Sequence, residues 1–85
     1  MSAELTEDIV GLVEAIVRPL IEDVDAFEVQ AEEGDDGVVY VDIKVSDDDT
    51  GKVIGRQGRV IKSIRTLARA LASREGISCE VELLD

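Results

Sequence analysis

The sequence predicts an α+β fold whose elements follow the order α-β-β-α-α-β. Apolar residues recur at helical spacing near the N-terminus and again after residue 58, which indicates helices with one buried face. Three other segments alternate apolar and polar residues, which is typical of strands with one wet face. With 85 residues and 45% apolar content, the chain suits one domain over residues 1–85, with one layer of helices on a sheet.

The first helix is predicted from an apolar stripe that starts at Leu5. Pro19 lacks an amide hydrogen and clashes with the preceding turn, so the helix is expected to end near Val17 or Arg18. Residues 21–24 then form a connector. The stripe consists of Leu5, Ile9, Leu12, Val13, Ile16, Val17, Leu20 and Ile21.

An antiparallel hairpin is predicted next. Alternation over residues 27–32 and 39–45 indicates two strands, and the glycine-containing cluster 33–37 between them indicates a turn. The same alternation directs Tyr40 away from the core, as a surface or interface residue.

Two further helices and a third strand complete the predicted order. The helices are expected at about 47–54 and 58–73, with Ser46 as the N-cap of the first. Glu75-Gly76 ends the second helix, and alternation over 77–83 predicts a strand in which Cys79 is buried. The inward positions of the last helix are expected to be Val60, Ile61, Ile64, Leu67, Ala68 and Leu71.

The composition argues against several classes of protein. The chain has no His and one Cys, which excludes an internal disulfide and does not support a zinc site. No nucleophile has a sequence neighbour that would activate it, so neither an enzyme nor a cofactor is predicted. Asp47-Asp48-Asp49 fits the first turn of a helix better than a divalent-cation site. No apolar run reaches membrane-spanning length and no signal pattern is present, so the default location is the cytosol.

Charge is segregated along the chain. Residues 51–74, here called the basic segment, contain seven Lys or Arg and no acid, whereas the rest of the chain carries a net charge of −18. A salt-adapted surface would explain the excess of acids but not their segregation. A basic segment in an acidic protein attracts an anion to one place and repels it elsewhere.

The basic segment contains a glycine loop, Gly55-Arg56-Gln57-Gly58, between two predicted helices. Glycines allow a ligand to approach the backbone, and the start of the second helix offers free amides to an anion. Dinucleotide and nucleotide-triphosphate loops follow a strand and need different glycine spacings. An ordinary helix-loop-helix corner with solvated arginines remains an alternative.

In this context the loop resembles the signature of KH domains, I-G-x-x-G flanked by aliphatic residues. Val53 to Ile61 match it, and the α-β-β-α-α-β order is that of the type II KH fold. "DTGKVIGRQGR" and "IRTLARALA" are similar to segments of the small bacterial single-KH proteins of the KhpA type. The resemblance covers nearly the whole chain and implies a three-stranded mixed sheet with three helices on one face.

The resemblance also implies single-stranded RNA binding, in which the loop holds the backbone of about four nucleotides. Carried over to this sequence, Gly55 to Gly58 would form the clamp, Lys52 and Arg59 would contact phosphates, and Val53 and Ile54 would line an apolar groove. Members of the family are described as RNA chaperones that act with a larger Jag-type KH protein in cell-wall homeostasis and cell elongation. A homodimer or a complex with such a partner is therefore expected.

The basic residues are expected to differ in role. Arg56 is the strongest candidate for RNA contact, because a side chain at a loop tip is dispensable for folding and a guanidinium suits phosphate. Gln57 could serve RNA or solubility equally. Lys62 and Arg65 are expected to face RNA, and Arg69 and Arg74 to be surface charges or partners of the acidic body. The alternative function is a protein-interaction module whose RNA contact comes mainly from a partner.

Overall fold

Three α-helices and three β-strands follow one another in the predicted order in the computed structural model, which describes residues 3–84. Residues 1, 2 and 85, the ends of the predicted domain, lie outside the described residues. The elements are α1 Ala3–Val17, β1 Glu28–Glu33, β2 Val39–Lys44, α2 Thr50–Ile54, α3 Arg59–Ser73 and β3 Cys79–Leu84.

The sheet is mixed and has the order β1-β2-β3. β1 and β2 form the predicted antiparallel hairpin, and β3 returns parallel to β2. Tyr40 on β2 faces away from the core and donates a hydrogen bond from its hydroxyl to Asp36 in the hairpin turn. The arrangement confirms an α+β fold consistent with a type II KH domain.

The helices cover one face of the sheet, and the core lies between the helices and the sheet. On β2, Val39, Val41 and Ile43 are completely buried, while Tyr40 and Lys44 on the other face are exposed. Burial of Cys79 is confirmed. The core consists of Leu5, Ile9, Val13, Val17, Ile21, Val39, Val41, Ile43, Val45, Val53, Ile61, Ile64, Ala68, Ala72, Cys79 and Val81.

The predicted ends of the elements are correct to within a few residues. α1 ends at Val17 as expected, and Pro19 lies in a 3₁₀ turn over Arg18–Leu20. A second 3₁₀ turn, Val24–Ala26, begins at the end of the expected connector. Asp23 caps this turn, because its carboxylate accepts a hydrogen bond from the Ala26 N–H.

The helix expected at 47–54 begins as a 3₁₀ turn, Asp47–Asp49, and Ser46 stands at its N-cap position as predicted. The Ser46 side chain makes no capping hydrogen bond to the backbone, and its hydroxyl donates to Asp49 Oδ2.

Two predictions of buried positions are wrong. Leu20 was placed in the stripe of the first helix but lies in the 3₁₀ turn that follows it and is 38% exposed. Leu67 was expected in the core but is 45% exposed. Each residue turns a helix by about 100°, so the buried stripe that includes Ala68 leaves Leu67 to one side.

Candidate nucleic-acid interface

The glycine loop is a tight corner between α2 and α3. Gly55 ends α2 with φ 78° and ψ 172°, and Gly58 precedes α3 with φ 72°. The Gly58 N–H donates to the Gly55 carbonyl at 3.1 Å, which closes the turn. A side chain at Gly55 would meet Val60, whose backbone N would lie 2.9 Å from the added Cβ. Gly55 therefore satisfies both a conformational and a steric requirement, whereas a Cβ at Gly58 would make only an ordinary contact, 3.8 Å from Lys62 Cε.

The tip of this corner presents two exposed side chains, Arg56 and Gln57. Gln57 adopts a left-handed conformation, with φ 58° and ψ 25°. Its Oε1 accepts a hydrogen bond from Arg59 Nη2 at 3.1 Å. Within residues 3–84 the Arg56 side chain makes no hydrogen bond or ion pair, so its guanidinium projects into solvent with all its donors available.

The two aliphatic residues before the loop face different environments. Val53 is completely buried in the core, whereas Ile54 is 39% exposed beside Gly55. Of these two residues, only Ile54 therefore offers apolar surface to a ligand at the loop. Val53 can support such a surface only from beneath.

Lys52 lies just before the loop, but its charge is already paired. Its Nζ is 3.1 Å from Asp49 Oδ1 and 3.3 Å from Glu22 Oε1. The hydrogen bond to Asp49 raises the pKa of the Lys52 ammonium above its usual value. Lys52 thus connects the start of α2 to the segment after α1 and is not a free cation at the loop.

Asp49 is the residue of this region that the sequence analysis missed. It is completely buried and accepts hydrogen bonds from the Glu22 N–H, the Asp23 N–H and Ser46 Oγ, in addition to the one from Lys52. The Asp23 amide is the largest cause of a pKa lowered to about 2 for this carboxyl. Its position was a usable signal, because Asp49 precedes Val53 by four residues and so shares its buried side of the helix.

Two basic residues of α3, Arg65 and Arg69, bond to β3. Arg65 Nε donates to the Val81 carbonyl at 3.3 Å, and Arg69 Nε donates to the Cys79 carbonyl at 3.4 Å. Arg69 also pairs with Glu80 at 3.7 Å, so it is one of the predicted partners of the acidic body. Lys62, one turn before Arg65, is exposed, and its ammonium has no partner within the described chain.

Loop, α3 and β3 together form one continuous surface. The two arginine–carbonyl bonds show that β3 runs antiparallel to α3, so the end of β3 lies alongside the start of α3 and the loop. Of the predicted residues, Ile54, Arg56, Gln57, Arg59 and Lys62 are exposed along the loop and the start of α3, and Arg65 is half-buried against β3. Val53 lies in the core, and Lys52 is paired with its carboxylate partners.

Comparison with known protein families identifies the family of this chain. Residues 11–83 match the family model described as KhpA/KhpB, KH domain. The chain belongs to this KH-domain family. The family is not enzymatic, in agreement with the sequence analysis. No helix in residues 3–84 combines the length and hydrophobicity needed to span a bilayer, and no acidic, His or Cys side chains there form a metal-binding group.

Several curated relatives extend over most of this KH domain. A protein of Caldanaerobacter subterraneus subsp. tengcongensis is 40% identical over 73 residues, which are 86% of this chain and 96% of the relative. A protein of Clostridium perfringens is 43% identical over 76 residues, with the same coverage of 86% and 96%. One of Borreliella burgdorferi is 36% identical over 76 residues, covering 89% and 92%. Each relative is named RNA-binding protein KhpA.

Proposed function

We propose that this KH domain binds single-stranded RNA, with the sugar-phosphate backbone on the loop Gly55–Gly58 and the bases against Ile54 and the α3–β3 surface. The observation that carries the proposal is the state of Arg56. It is exposed at the tip of a glycine corner and has no partner within residues 3–84. A guanidinium in that state can donate two parallel hydrogen bonds to a phosphate.

The charge distribution supports the same site. The loop lies inside the basic segment, which has no acid, while the rest of the chain has a net charge of −18. The acidic remainder repels RNA, so binding is confined to the loop side. Arg56, Arg59 and Lys62 supply cations there, whereas Lys52 is neutralised by Asp49 and Glu22. With about three to five phosphate contacts, log K should fall against log salt with a slope of roughly −2 to −3.5.

The experiment is a fluorescence-anisotropy titration with short single-stranded RNAs at two salt concentrations. The wild type is compared with the double variant R56D/Q57D, which changes the loop tip by three charge units. Both residues are exposed and Gln57 has a positive φ that Asp tolerates well, so the variant is expected to fold. The proposal predicts salt-sensitive binding by the wild type and its loss in the variant.

A matched control separates the site from net charge. The variant R74D/Q30D makes the same two kinds of substitution at exposed positions, one at the end of α3 and one on β1. It is expected to bind RNA nearly as well as the wild type. Equal losses in the two double variants would contradict a site at the loop, as would no binding by folded wild type at high micromolar RNA.

A single loop with few phosphate contacts gives weak binding, so we propose that the domain acts as a dimer or beside a Jag-type KH protein. Two linked sites on one RNA raise the effective concentration of the second. The roles in RNA chaperoning and cell-wall homeostasis rest on the family resemblance. Sedimentation with and without RNA tests the dimer, and a strictly monomeric domain with full RNA affinity would contradict it.

A protein-interaction module is the second candidate function. It is favoured by exposed apolar residues, since Ile54 and Leu67 are 39% and 45% exposed on the two helices of the corner. If Leu67→Glu abolishes complex formation but preserves RNA binding, the two functions use separate surfaces. If R56D/Q57D abolishes complex formation while RNA binding persists, the loop itself is the protein interface.

A further inference from the structure

The outer edge of β3 pairs with no other strand among the described residues. The Val39 N–H donates to the Ser78 carbonyl, and successive residues of a strand direct their backbone groups to alternate sides. The backbone groups of Cys79, Val81 and Leu83 therefore point outward, away from β2.

Two of these three outward carbonyls are occupied by α3. Arg65 Nε donates to Val81 and Arg69 Nε to Cys79, at 3.3 and 3.4 Å. We call these two hydrogen bonds the edge bridges. Four residues of helix rise about 6 Å, and two residues of strand span about 6.6 Å, so arginines four apart match carbonyls two apart. The match depends on α3 and β3 being antiparallel.

The edge bridges distinguish these arginines from the other cations of the interface. Both use Nε, the nitrogen nearest the helix, so each guanidinium is fixed between α3 and the strand. Arg69 additionally meets Glu80 at 3.7 Å, beside a surface depression of about 290 Å³ lined by Arg69, Ser73, Ile77 and Cys79. Lys62, by contrast, has an uncommitted ammonium.

We infer that Arg65 and Arg69 are positioning residues that tie α3 to the outer edge of β3 and so set the spacing of the surface on which RNA lies. Their contribution to affinity comes from this geometry more than from phosphate contact. The RNA part of the inference rests on the proposed function. The geometric part concerns the protein alone and is tested without RNA.

Two double variants separate geometry from charge. In R65Q/R69Q each Gln places its Nε2 donor at the position of the arginine Nε but removes the charge. In R65K/R69K each Lys keeps the charge but has a methylene at that position, with its donor one bond further out. A positioning role predicts that the Lys pair is the more damaging, and a phosphate-contact role predicts the reverse.

The first readout is the carbonyl ¹³C shift of Cys79 and Val81 in the free, isotope-labelled protein. The Lys pair is expected to move both signals and the Gln pair to leave them near their wild-type positions. Unchanged signals in a folded Lys pair would overturn the edge bridges, whatever the protein does with RNA.

The second readout is RNA affinity across a salt series. Losing two hydrogen bonds that hold the surface is expected to weaken binding by the Lys pair about tenfold, with an unchanged salt slope. The Gln pair is expected to bind more tightly than the Lys pair. If instead the Lys pair binds like the wild type, and the Gln pair loses affinity with a slope smaller by about 1.4, the arginines are phosphate contacts and the inference is wrong. A wild type that binds no RNA would contradict the proposed function and leave the carbonyl shifts to decide the edge bridges.

Discussion

The start of α2, with Asp49 and Lys52, and the loop tip, with Arg56, are a few residues apart, yet their charged groups are in opposite states. Asp49 is completely buried, and each of its oxygens accepts hydrogen bonds, including one from Lys52. Arg56 is exposed and unpartnered within residues 3–84. The comparison shows that net charge along a segment does not tell which cations are available to a ligand. Lys52 helps to hold the corner in place, whereas Arg56 is exposed to solvent at its tip.

Gly55 lies between these two regions, and we expect its substitution to cause the largest loss of stability. Gly55→Ala would place a side chain at φ 78° and ψ 172°, a conformation reserved almost wholly for glycine, and against the Val60 backbone. We expect a loss of about 3 kcal/mol in the free energy of unfolding, measured by urea denaturation. Gly58→Ala is the control. Gly58 has a left-handed φ, but an added Cβ would make only an ordinary contact with Lys62 Cε at 3.8 Å, so a loss of only about 1 kcal/mol is expected. Equal losses would show that the contact with Val60 is not a constraint.

Removing the buried carboxylate should be the next largest change. Asp49→Ala leaves the amides of Glu22 and Asp23 and the ammonium of Lys52 without their acceptor. We expect the melting temperature to fall by roughly 10 °C. Asp48→Ala, at the exposed neighbouring position, is expected to change it little. A melting temperature for Asp49→Ala within about 2 °C of the wild type would show that the corner does not depend on this anchor.

The anchor should also give stability a characteristic dependence on pH. Hydrogen bonds lower the pKa of Asp49 in the folded state from 3.8 to about 2. A lowered pKa means that its stabilising contribution is complete above the unfolded-state value and is lost as pH falls from about 4 toward 2. Urea midpoints of wild type and Asp49→Asn should therefore converge over that range. A constant difference between them down to pH 2 would contradict the assignment.

The smallest expected effect is at the loop tip. Gln57 adopts φ 58°, which is unfavourable for a residue with a side chain. Gln57→Gly removes that cost but adds freedom to the unfolded chain, so a net change within about 1 kcal/mol is expected. Chemical denaturation measures it. A loss of several kcal/mol would mean that the Gln57–Arg59 hydrogen bond supports the corner.

Periodicity and turn residues were enough to predict the order of the elements, because burial on one side of an element repeats in the sequence. The hairpin, the end of α1 before Pro19 and the glycine corner all follow from such local patterns. The mixed three-stranded sheet was implied by the resemblance to KH domains. Leu67 was misplaced because a stripe read from sequence can be shifted by one position around a helix. Ser46 stands at the predicted N-cap position, but its hydroxyl donates to the buried Asp49 carboxylate, a partner that the sequence analysis did not identify.

The sequence predicted which residues lie near the candidate site, but not which of its cations are already paired within the protein. Sequence proximity put Lys52 beside the loop, yet its partners Asp49 and Glu22 come from an adjacent turn and from a segment some thirty residues earlier. The edge bridges depend on the antiparallel packing of α3 against β3. The edge bridges and the pairing of Lys52 with Glu22 are tertiary contacts that no local spacing encodes, whereas Asp49 and Lys52 are only three residues apart.

We propose that Lys52 maintains the corner and Arg56 contacts RNA, and a paired measurement on Lys52→Gln and Arg56→Gln separates the two roles. RNA affinity by anisotropy and melting temperature are recorded for both variants, which make the same change of charge. We expect Arg56→Gln to keep the wild-type melting temperature and to weaken RNA binding about tenfold, whereas Lys52→Gln should lower the melting temperature with a smaller loss of affinity. Equal losses of affinity with equal melting temperatures would contradict this proposal, because the two cations would then serve RNA alike.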